Sequence, residues 1–569
     1  MQEKVRKVKS LKQPKLIAGY ASRSIALDAL LAVERESVFA NIALAASFKK
    51  QELSERDRAF VTALVHGVMR HRLELDEEID AASQRPGAKI DTVVRNILRI
   101  GAFQLSFMPN IPQQAVLNTA TELAKVRGHV GLGKFTNGLL RNLARRAAAA
   151  ATPETADAAP IEAAITKTHK NKLNKLKKRA NEEKDLKLEK NEKSLADRYS
   201  MPDWLVDRWL KNYGEEETQK LLQFAQRPPL LSIRTCELSI TPEGLQEILE
   251  RQGLAVKRSS LVESCLLIER GRIPETVSSV SRSGTDTSET AGTTIPGAGT
   301  EVTAVKADAG VHHSVKSRKS ASSFRGSPEK LTGYKEGMFS IQDESAAFVS
   351  IIVDPKSTDF VIDLCAAPGG KTLHMAELME NKGRVVAVDQ SASRLLPLKE
   401  SRTRLGLKNL EIVAHDGRTF KSATLADKIL IDAPCTGTGV INRRADLRFK
   451  RKPEDLASLI ELQRELLTNA ARCVKPGGSL VYSTCSIEPE ENFGNAQWFL
   501  ETFEQFEPED ISKYLPPSIL AECAPTWEGP ACKSKMEESF IYSVQLLPSR
   551  HNVSGFFVAK FRKKPENNV

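Results

Sequence analysis

Two cysteines fifty residues apart carry the clearest chemical signal in this 569-residue chain. Cys485 lies in "YSTCSIEPEEN" (482–492), between hydroxyl residues at the end of an apolar run, and Cys435 lies in "LIDAPCTGTG" (430–439), just after Asp432. Cysteine used only for packing sits among apolar neighbours, a reading that suits Cys365 or Cys473. It accounts poorly for two cysteines at polar strand ends beside an acid. If the two apolar runs form neighbouring strands, about 5 Å apart, both thiols and the carboxylate face one crevice around one ligand. A free thiol has a pKa of about 8.5 and is mostly protonated at neutral pH, so a reactive one needs surroundings that favour the anion. Lys371 is the candidate cation.

A second cluster precedes them. In "DLCAAPGGKT" (363–372), Gly369 and Gly370 let backbone approach a ligand at the start of a helix, whose free N–H groups favour a carboxylate or phosphate. "GGKT" has the look of the end of a nucleotide-triphosphate loop, but the first glycine of that loop would fall at Cys365, and the reading fails. Asp389 closes the next apolar run, roughly twenty residues past the glycine turn, where an acid suits the ribose hydroxyls of a nucleoside cofactor. The alternative is a simple N-cap for "SASRLL". Asp416, closing the third run, repeats the choice.

The elements that must position these residues are legible as five apolar runs: "DFVIDLCAA", "RVVAVDQ", "LEIVAHD", "KILIDAPC" and "GSLVYSTC". Each ends in a polar or small cluster, and helical segments such as "EDLASLIELQRELLTNAARCV" lie between them. The pattern predicts a parallel, doubly wound sheet with its ligand crevice at the carboxyl ends of the strands, where the unusual residues fall. Upstream, "IALDALLAV", "AFVTALVHGVM" and "VVRNILRIGAFQL" space apolar residues at helical steps from Ser22 to Arg146. Gly128, Gly131 and Gly133 are expected to break that pattern before a last helix bearing Arg141, Arg145 and Arg146, either as an RNA contact or as a solvated face. "PLLSIRTC" and "SCLLIER" predict strands around a helix from Pro242 to Gln252, a small α+β module. The expected division is a basic tail (1–21), a helical domain (22–147), a charged linker (148–194), the small module (195–270 and 331–340), an insertion within it (271–330) and an α/β domain (341–565).

Composition narrows the class of partner. The net charge of +11, from 83 basic and 72 acidic residues, favours a polyanion such as nucleic acid. Thr166 to Lys193 alone holds eleven basic against five acidic residues, a sign that strengthens attraction to phosphates. Val277 to Thr300 holds fifteen Ser, Thr or Gly among twenty-four residues, which predicts a disordered insertion. No stretch approaches the roughly eighteen apolar residues of a spanning helix, and "MQEKVRKVKSLKQPK" lacks the apolar centre of a secretory signal. A cytoplasmic monomer is expected, with an organelle address the other reading of that leader. Eight cysteines without a C-x-x-C pair predict separate thiols in a reducing compartment and no metal site.

In this order, "DLCAAPGGKT", "VVAVD", "HDGR", "DAPCTGTGV" and "YSTCSIEPEEN" resemble the motifs of the RNA cytosine-C5 methyltransferases, and the helical front domain resembles the antitermination factor NusB. The resemblance covers Ser22 to about Arg146 and Met201 to Lys560, apart from the insertion. It implies an all-α NusB-like domain, a small α+β RNA-binding module and a class I, Rossmann-like methyltransferase domain that uses S-adenosyl-L-methionine on 16S ribosomal RNA. It further implies that Cys485 is a nucleophile adding to C6 of cytosine, so that C5 can attack the sulfonium methyl. Asp432 would hold or protonate N3 and also face the cofactor, while Cys435 would help eliminate the covalent intermediate. Cys365, Ala366, Ala367, Pro368, Gly369, Gly370 and Lys371 match the cofactor loop, Asp389 the ribose contact and Asp416 the adenine side.

The target base must then be single-stranded or extruded, because a stacked ring offers no face to a nucleophile. Arg443, Arg444, Arg448 and Lys450 are expected to hold the RNA backbone around it, and Phe449 to pack. Here "NRRADLRF" keeps Asp446 but has Arg444 and Ala445 where the family has His and Pro. The competing readings are a transfer RNA substrate, a DNA cytosine methyltransferase with Cys435 as nucleophile, and an idle RNA-binding assembly factor.

Overall fold

Helical spacing in the front region becomes seven helices in the computed structural model, which describes residues 18–36, 38–83, 90–151, 194–270, 327–523, 532–534 and 541–566. Most of the expected tail, linker and insertion lie outside the described residues. The helices are α1 Tyr20–Arg35, α2 Ala40–Lys50, α3 Glu55–Arg70, α4 Arg72–Ala82, α5 Thr92–Phe107, α6 Gln113–Arg127 and α7 Val130–Ala151. Leu27, Leu30, Val65, Leu75, Ile97 and Leu140 share their core. Side-chain caps fix the starts of α3 and α5, where Ser54 accepts from the Asp57 N–H and Asp91 from the Val93 N–H. Contrary to expectation, Gly131 and Gly133 do not interrupt the chain but lie in the first turn of α7. A Cβ on Gly133 would sit 2.6 Å from Lys125 Cγ, so glycine there lets α7 lie against α6.

Next come α8 Asp203–Ala225 and the small sheet: β1 Leu231–Thr235, α9 Pro242–Arg251, β2 Ala255–Arg258, β3 Cys265–Arg270 and β4 Phe339–Ile341, in the order β2-β3-β1-β4 and antiparallel throughout. Patterning reveals β1, β3 and α9; β2 and β4 are four and three residues long, too short to display alternation. The helix α8 leads into the small sheet, and its apolar face, Leu205, Trp209 and Leu222, packs with Ile441, Ile487 and Leu547 of the C-terminal domain.

The C-terminal domain opens with α10 Glu344–Val353 and alternates β5 Phe360–Asp363, α11 Gly370–Leu378, β6 Arg384–Asp389, α12 Leu396–Arg404, β7 Leu410–Ala414 and β8 Ala426–Asp432. There follow α13 Pro453–Cys473, β9 Val474–Thr484, α14 Phe493–Thr502, β10 Phe506–Pro508, β11 Cys532–Ser534, β12 Ile541–Leu546 and β13 Phe556–Lys563. The sheet runs β11-β12-β13-β9-β8-β5-β6-β7, with β10 pairing β13. The expected strands β5 to β9 are parallel; β13 and β12 add an antiparallel side that the sequence reading missed. Successive residues, buried on both faces, alternate between layers: Val361, Val385 and Leu430 pack with α10 and α11, while Ile362, Val386 and Ile429 pack with α13 and α14. Strand order reverses beside β5, which opens the crevice at the ends of β5 and β8.

No helix among the described residues is long and apolar enough to cross a membrane. Cys236, Cys265, Cys365, Cys435, Cys473 and Cys485 are free thiols. Cys523 is disulfide-bonded, which corrects the expectation of eight separate thiols.

Candidate active site

Because β8 and β9 are parallel neighbours, with Asp432 opposite Ser483, the chain leaves both strands at the same level. That register brings Cys435 Sγ to 3.3 Å from Cys485 Sγ. Cys435 is buried and Cys485 half-buried at the crevice. The Cys435 thiol donating to its neighbour holds the Cys485 pKa below the ordinary thiol range, against the opposing effect of burial. Arg444 and Lys371 add smaller contributions of the same sign. The same contact, with burial, pushes Cys435 well up. The contact thus favours the anion on Cys485, with the Cys435 thiol placed to donate to it.

Asp432 stands beside the pair with both oxygens engaged. Lys371 Nζ donates to Oδ2 at 2.7 Å and Ser483 Oγ to Oδ1 at 2.9 Å. Lys371 also lies 5.0 Å from the ring of Phe556 on β13. Lys371, the candidate cation for the thiolate, does favour it but pairs directly with Asp432, and the second thiol is the larger influence on Cys485.

The turns that carry the thiols are held by residues the sequence reading quoted but did not single out. Glu491 Oε1 accepts from the Thr436 N–H at 2.9 Å and from Gln463 Nε2 at 2.9 Å. Its neighbour Asn492 accepts from Thr484 Oγ1 at 2.6 Å and donates to the Ser486 carbonyl at 3.0 Å. Adjacent residues thus tie down the two cysteine turns. Arg451 donates to the carbonyls of Cys435 at 2.7 Å and Thr436 at 2.9 Å. The signal was present in "EEN", where buried polar types follow the cysteine too closely to be a loop face.

At the ends of β5 to β7, Gly369 takes φ +114 at the start of α11, and a Cβ there would lie 2.5 Å from Leu398. Glycine is required by that turn itself. Gly370 is under no such constraint, its Cβ position being in ordinary contact distance of Gln342. Asp389 is buried and accepts from the Ala367 N–H at 3.2 Å and the Ser391 N–H at 3.0 Å, so it both shapes the Cys365 to Lys371 loop and starts the next turn. Asp363, which the sequence reading did not select, accepts from Thr372 Oγ1 at 2.7 Å; burial pushes its pKa up to about 7. Asp416 is partly exposed and paired with Arg418, which holds its pKa below the usual carboxylate range.

The expected RNA contacts separate. Arg444 is exposed near Cys485. Arg443 is half-buried, its Nε donating to Ser554 Oγ at 3.0 Å and its guanidinium pairing with Asp343. Arg448 is only 1% exposed, and its guanidinium donates to backbone carbonyls at the end of α3 and around α8, so it has no surface to offer RNA. Lys450 likewise donates to the Val38 carbonyl and lies 4.0 Å over the Phe39 ring.

Comparison with known proteins agrees with this architecture. Residues 350–562 match the 16S rRNA methyltransferase RsmB/F family, residues 20–145 the NusB family, and residues 201–273 the ferredoxin-like domain of RsmF/B-like methyltransferases. The probable ribosomal RNA small subunit methyltransferase B of Bacillus subtilis is 30% identical over 549 residues, covering 95% of this chain and 98% of that protein. The chain belongs to the ribosomal RNA small-subunit methyltransferase B family. It is accordingly an RNA methyltransferase with a NusB-type front domain. The Synechocystis protein of the same name is 29% identical over 546 residues, 95% of this chain and 99% of that one. Among solved structures, that of PH0851 covers 97% of this chain and 100% of its own, with a TM-score of 0.64 and 25% identity.

Proposed function

We propose that the chain methylates C5 of a cytosine in 16S ribosomal RNA, using S-adenosyl-L-methionine and a covalent intermediate on Cys485. The observation that carries the reading is the 3.3 Å contact between the two thiols at the end of β8 and β9, beside an oriented Asp432. A serine could pack at either position, but only sulfur adds readily to a pyrimidine and leaves again.

The donor set fits the cofactor. Asp389 is a buried carboxylate at the end of β6, bonded by one backbone N–H at each oxygen with the Arg394 guanidinium 3.6 Å from Oδ2, and is assigned to the ribose diol. The free N–H groups at the start of α11 suit a carboxylate, and Asp416 is assigned to the adenine end. When bound, the cofactor supplies an electrophilic methyl group. This chain's residues do the rest. Cys485 adds its sulfur to C6 and breaks the C5–C6 double bond, which makes C5 nucleophilic. Asp432, fixed by Lys371 and Ser483, holds the N3 edge as charge builds there, an electrostatic contribution that needs no reorganisation. Once C5 is methylated, its proton passes to water, the C6–S bond breaks, and the Cys435 thiol, donating to the departing sulfur, helps restore the Cys485 thiolate and the aromatic base.

Ribosomal RNA is favoured over transfer RNA by the extent of similarity. The relatives named for the small ribosomal subunit align along 95% of the chain, front domain included. The tRNA (cytosine(72)-C(5))-methyltransferase of Pyrococcus horikoshii is 34% identical, but over 235 residues, 41% of this chain. Exposed Arg141 and Arg145 on α7 are assigned to the RNA backbone. Bisulfite sequencing of ribosomal and transfer RNA from cells lacking the protein tests the reading. One 16S cytosine should lose its mark; loss confined to transfer RNA would overturn the assignment.

A further inference from the structure

The loop that follows Cys435 does not stay in the C-terminal domain. Residues 441–450 leave the crevice and enter the joint between the front helices and α8. Ala445 is fully buried within the core of the front domain, and Ile441 lies in the α8 cluster. Phe449 packs against the front domain, with Arg72 5.1 Å from its ring. Arg70, the last residue of α3, donates back to the Asn442 carbonyl at 3.1 Å.

The polar groups of this segment match helix ends. Asp446 Oδ2 accepts from the Ala40 N–H at 2.9 Å, placing a carboxylate at the start of α2. Arg448 donates to the carbonyl of Arg70 at 2.9 Å, of Ser200 at 3.2 Å and of Ala225 at 3.2 Å. Arg70 ends α3, Ala225 ends α8, and Ser200 follows the short helix Leu195–Arg198. Two helix C-termini, each with carbonyls lacking an intrahelical partner and a partial negative charge, and the turn after a one-turn helix therefore converge on one guanidinium. Burial and Arg70 push its pKa down to about 9, and its Nε is buried without a partner. An apolar side chain would fill the joint at lower electrostatic cost, so packing alone gives no reason for the charge.

The segment returns to the active site at its far end. Arg451, the next residue, is the one whose guanidinium holds the carbonyls of Cys435 and Thr436. At its near end, the Gly439 N–H donates to the Cys485 carbonyl at 3.1 Å. Cys435 is thus suspended on a loop whose middle is plugged into the front domain, whereas Cys485 ends a central strand of the sheet.

We propose that the front domain is a working part of the catalytic machinery: Arg448 and Asp446 are positioning residues that, by seating residues 441–450 in it, set Cys435 against Cys485 and so govern release of the methylated RNA. This inference rests on the proposed division of labour between the thiols. Loosening the plug displaces Cys435 more than Cys485, so capture continues while release slows. A displacement of about 1 Å in a reacting group costs up to about a hundredfold in rate.

The test uses full-length Arg448→Met and Arg448→Lys, with Asp446→Asn as a second lesion should the first fail to fold. Each is incubated with S-adenosyl-L-methionine and 16S RNA, and covalent protein–RNA adduct is followed on denaturing gels beside Cys435→Ala. Adduct should persist in Arg448→Met and Asp446→Asn, with release about tenfold to a hundredfold slower, and Arg448→Lys should recover part of the rate. Release at the wild-type rate in folded variants would overturn the inference, as would loss of capture and release in equal measure. Should Cys435→Ala itself trap no RNA, the release role of Cys435 falls. The coupling is then read from the pH dependence of capture, whose acid limb should still rise in Arg448→Met and whose constancy would end the proposal too.

Discussion

The crevice has two halves, and they are built differently. The half at the ends of β5, β6 and β7 is held by bonds within its own domain, Asp389 joining the loop to the turn after β6 and Asp363 tied to α11 through Thr372, and by the small sheet, whose Arg234 pairs with Glu377 of α11. The half at the ends of β8 and β9 reaches instead to the front helices and α8. The segment after Cys435 enters the front domain, while the turn after Cys485 is gripped by α8, with Trp209 Nε1 donating to Glu488 at 3.2 Å and Arg208 pairing with the same carboxylate. The difference separates tasks. On the proposed function, the half assigned to the cofactor leans on the small module, whereas the thiols are tied to the front helices and α8 and can respond to what those regions hold.

Substitutions in each half sharpen that contrast. The largest effect is expected at Cys485, where Cys485→Ser should lower methyl transfer by at least about 10⁴-fold with cofactor affinity unchanged, as loss of a nucleophile does. Single-turnover assays and equilibrium dialysis separate the two quantities. Asp432→Asn should cost about 10²- to 10³-fold in transfer, the scale of losing one preorganised electrostatic contact. Normal turnover in that variant would remove Asp432 from the mechanism. Asp389→Ala should act in the opposite half, weakening cofactor binding by roughly tenfold to a hundredfold for a lost hydrogen bond from a charged group. Titration calorimetry would read it, and an effect confined to RNA binding would contradict the separation of the halves.

The smallest effect concerns pH. Because the Cys435 thiol lowers the Cys485 pKa, the rate of RNA capture should rise through an inflection below the ordinary thiol range. Cys435→Ala removes that donor, so the inflection should move to higher pH; measuring adduct formation across pH in both proteins checks the direction.

The two halves also differed in how far the sequence revealed them. The parallel strands β5 to β9 announce themselves by apolar runs ending in polar residues, and parallel pairing fixes where Asp389, Asp432, Cys435 and Cys485 emerge. What runs between domains was not legible. Arg448 is a basic residue in a basic stretch, and nothing in its neighbours distinguishes an RNA contact from a guanidinium buried among helix ends. The partner of α8 was not legible for the same reason: its amphipathic pattern shows that one face is covered but not by which domain. The antiparallel strand β13 carries a plain strand signal in "FFVAKF", but with only the one-turn helix Pro548–His551 between it and β12 it lies outside the alternation of strand and helix that marks the parallel sheet.

The central claim is that the two sulfurs 3.3 Å apart do different work, Cys485 bonding to the base and Cys435 freeing it. Incubating RNA and S-adenosyl-L-methionine with Cys435→Ala, Cys485→Ala and the double variant, then counting covalent adducts by mass spectrometry, tests it directly. The account predicts a stable adduct on Cys485 in Cys435→Ala and none in the other two. An adduct on Cys435 in Cys485→Ala would contradict it.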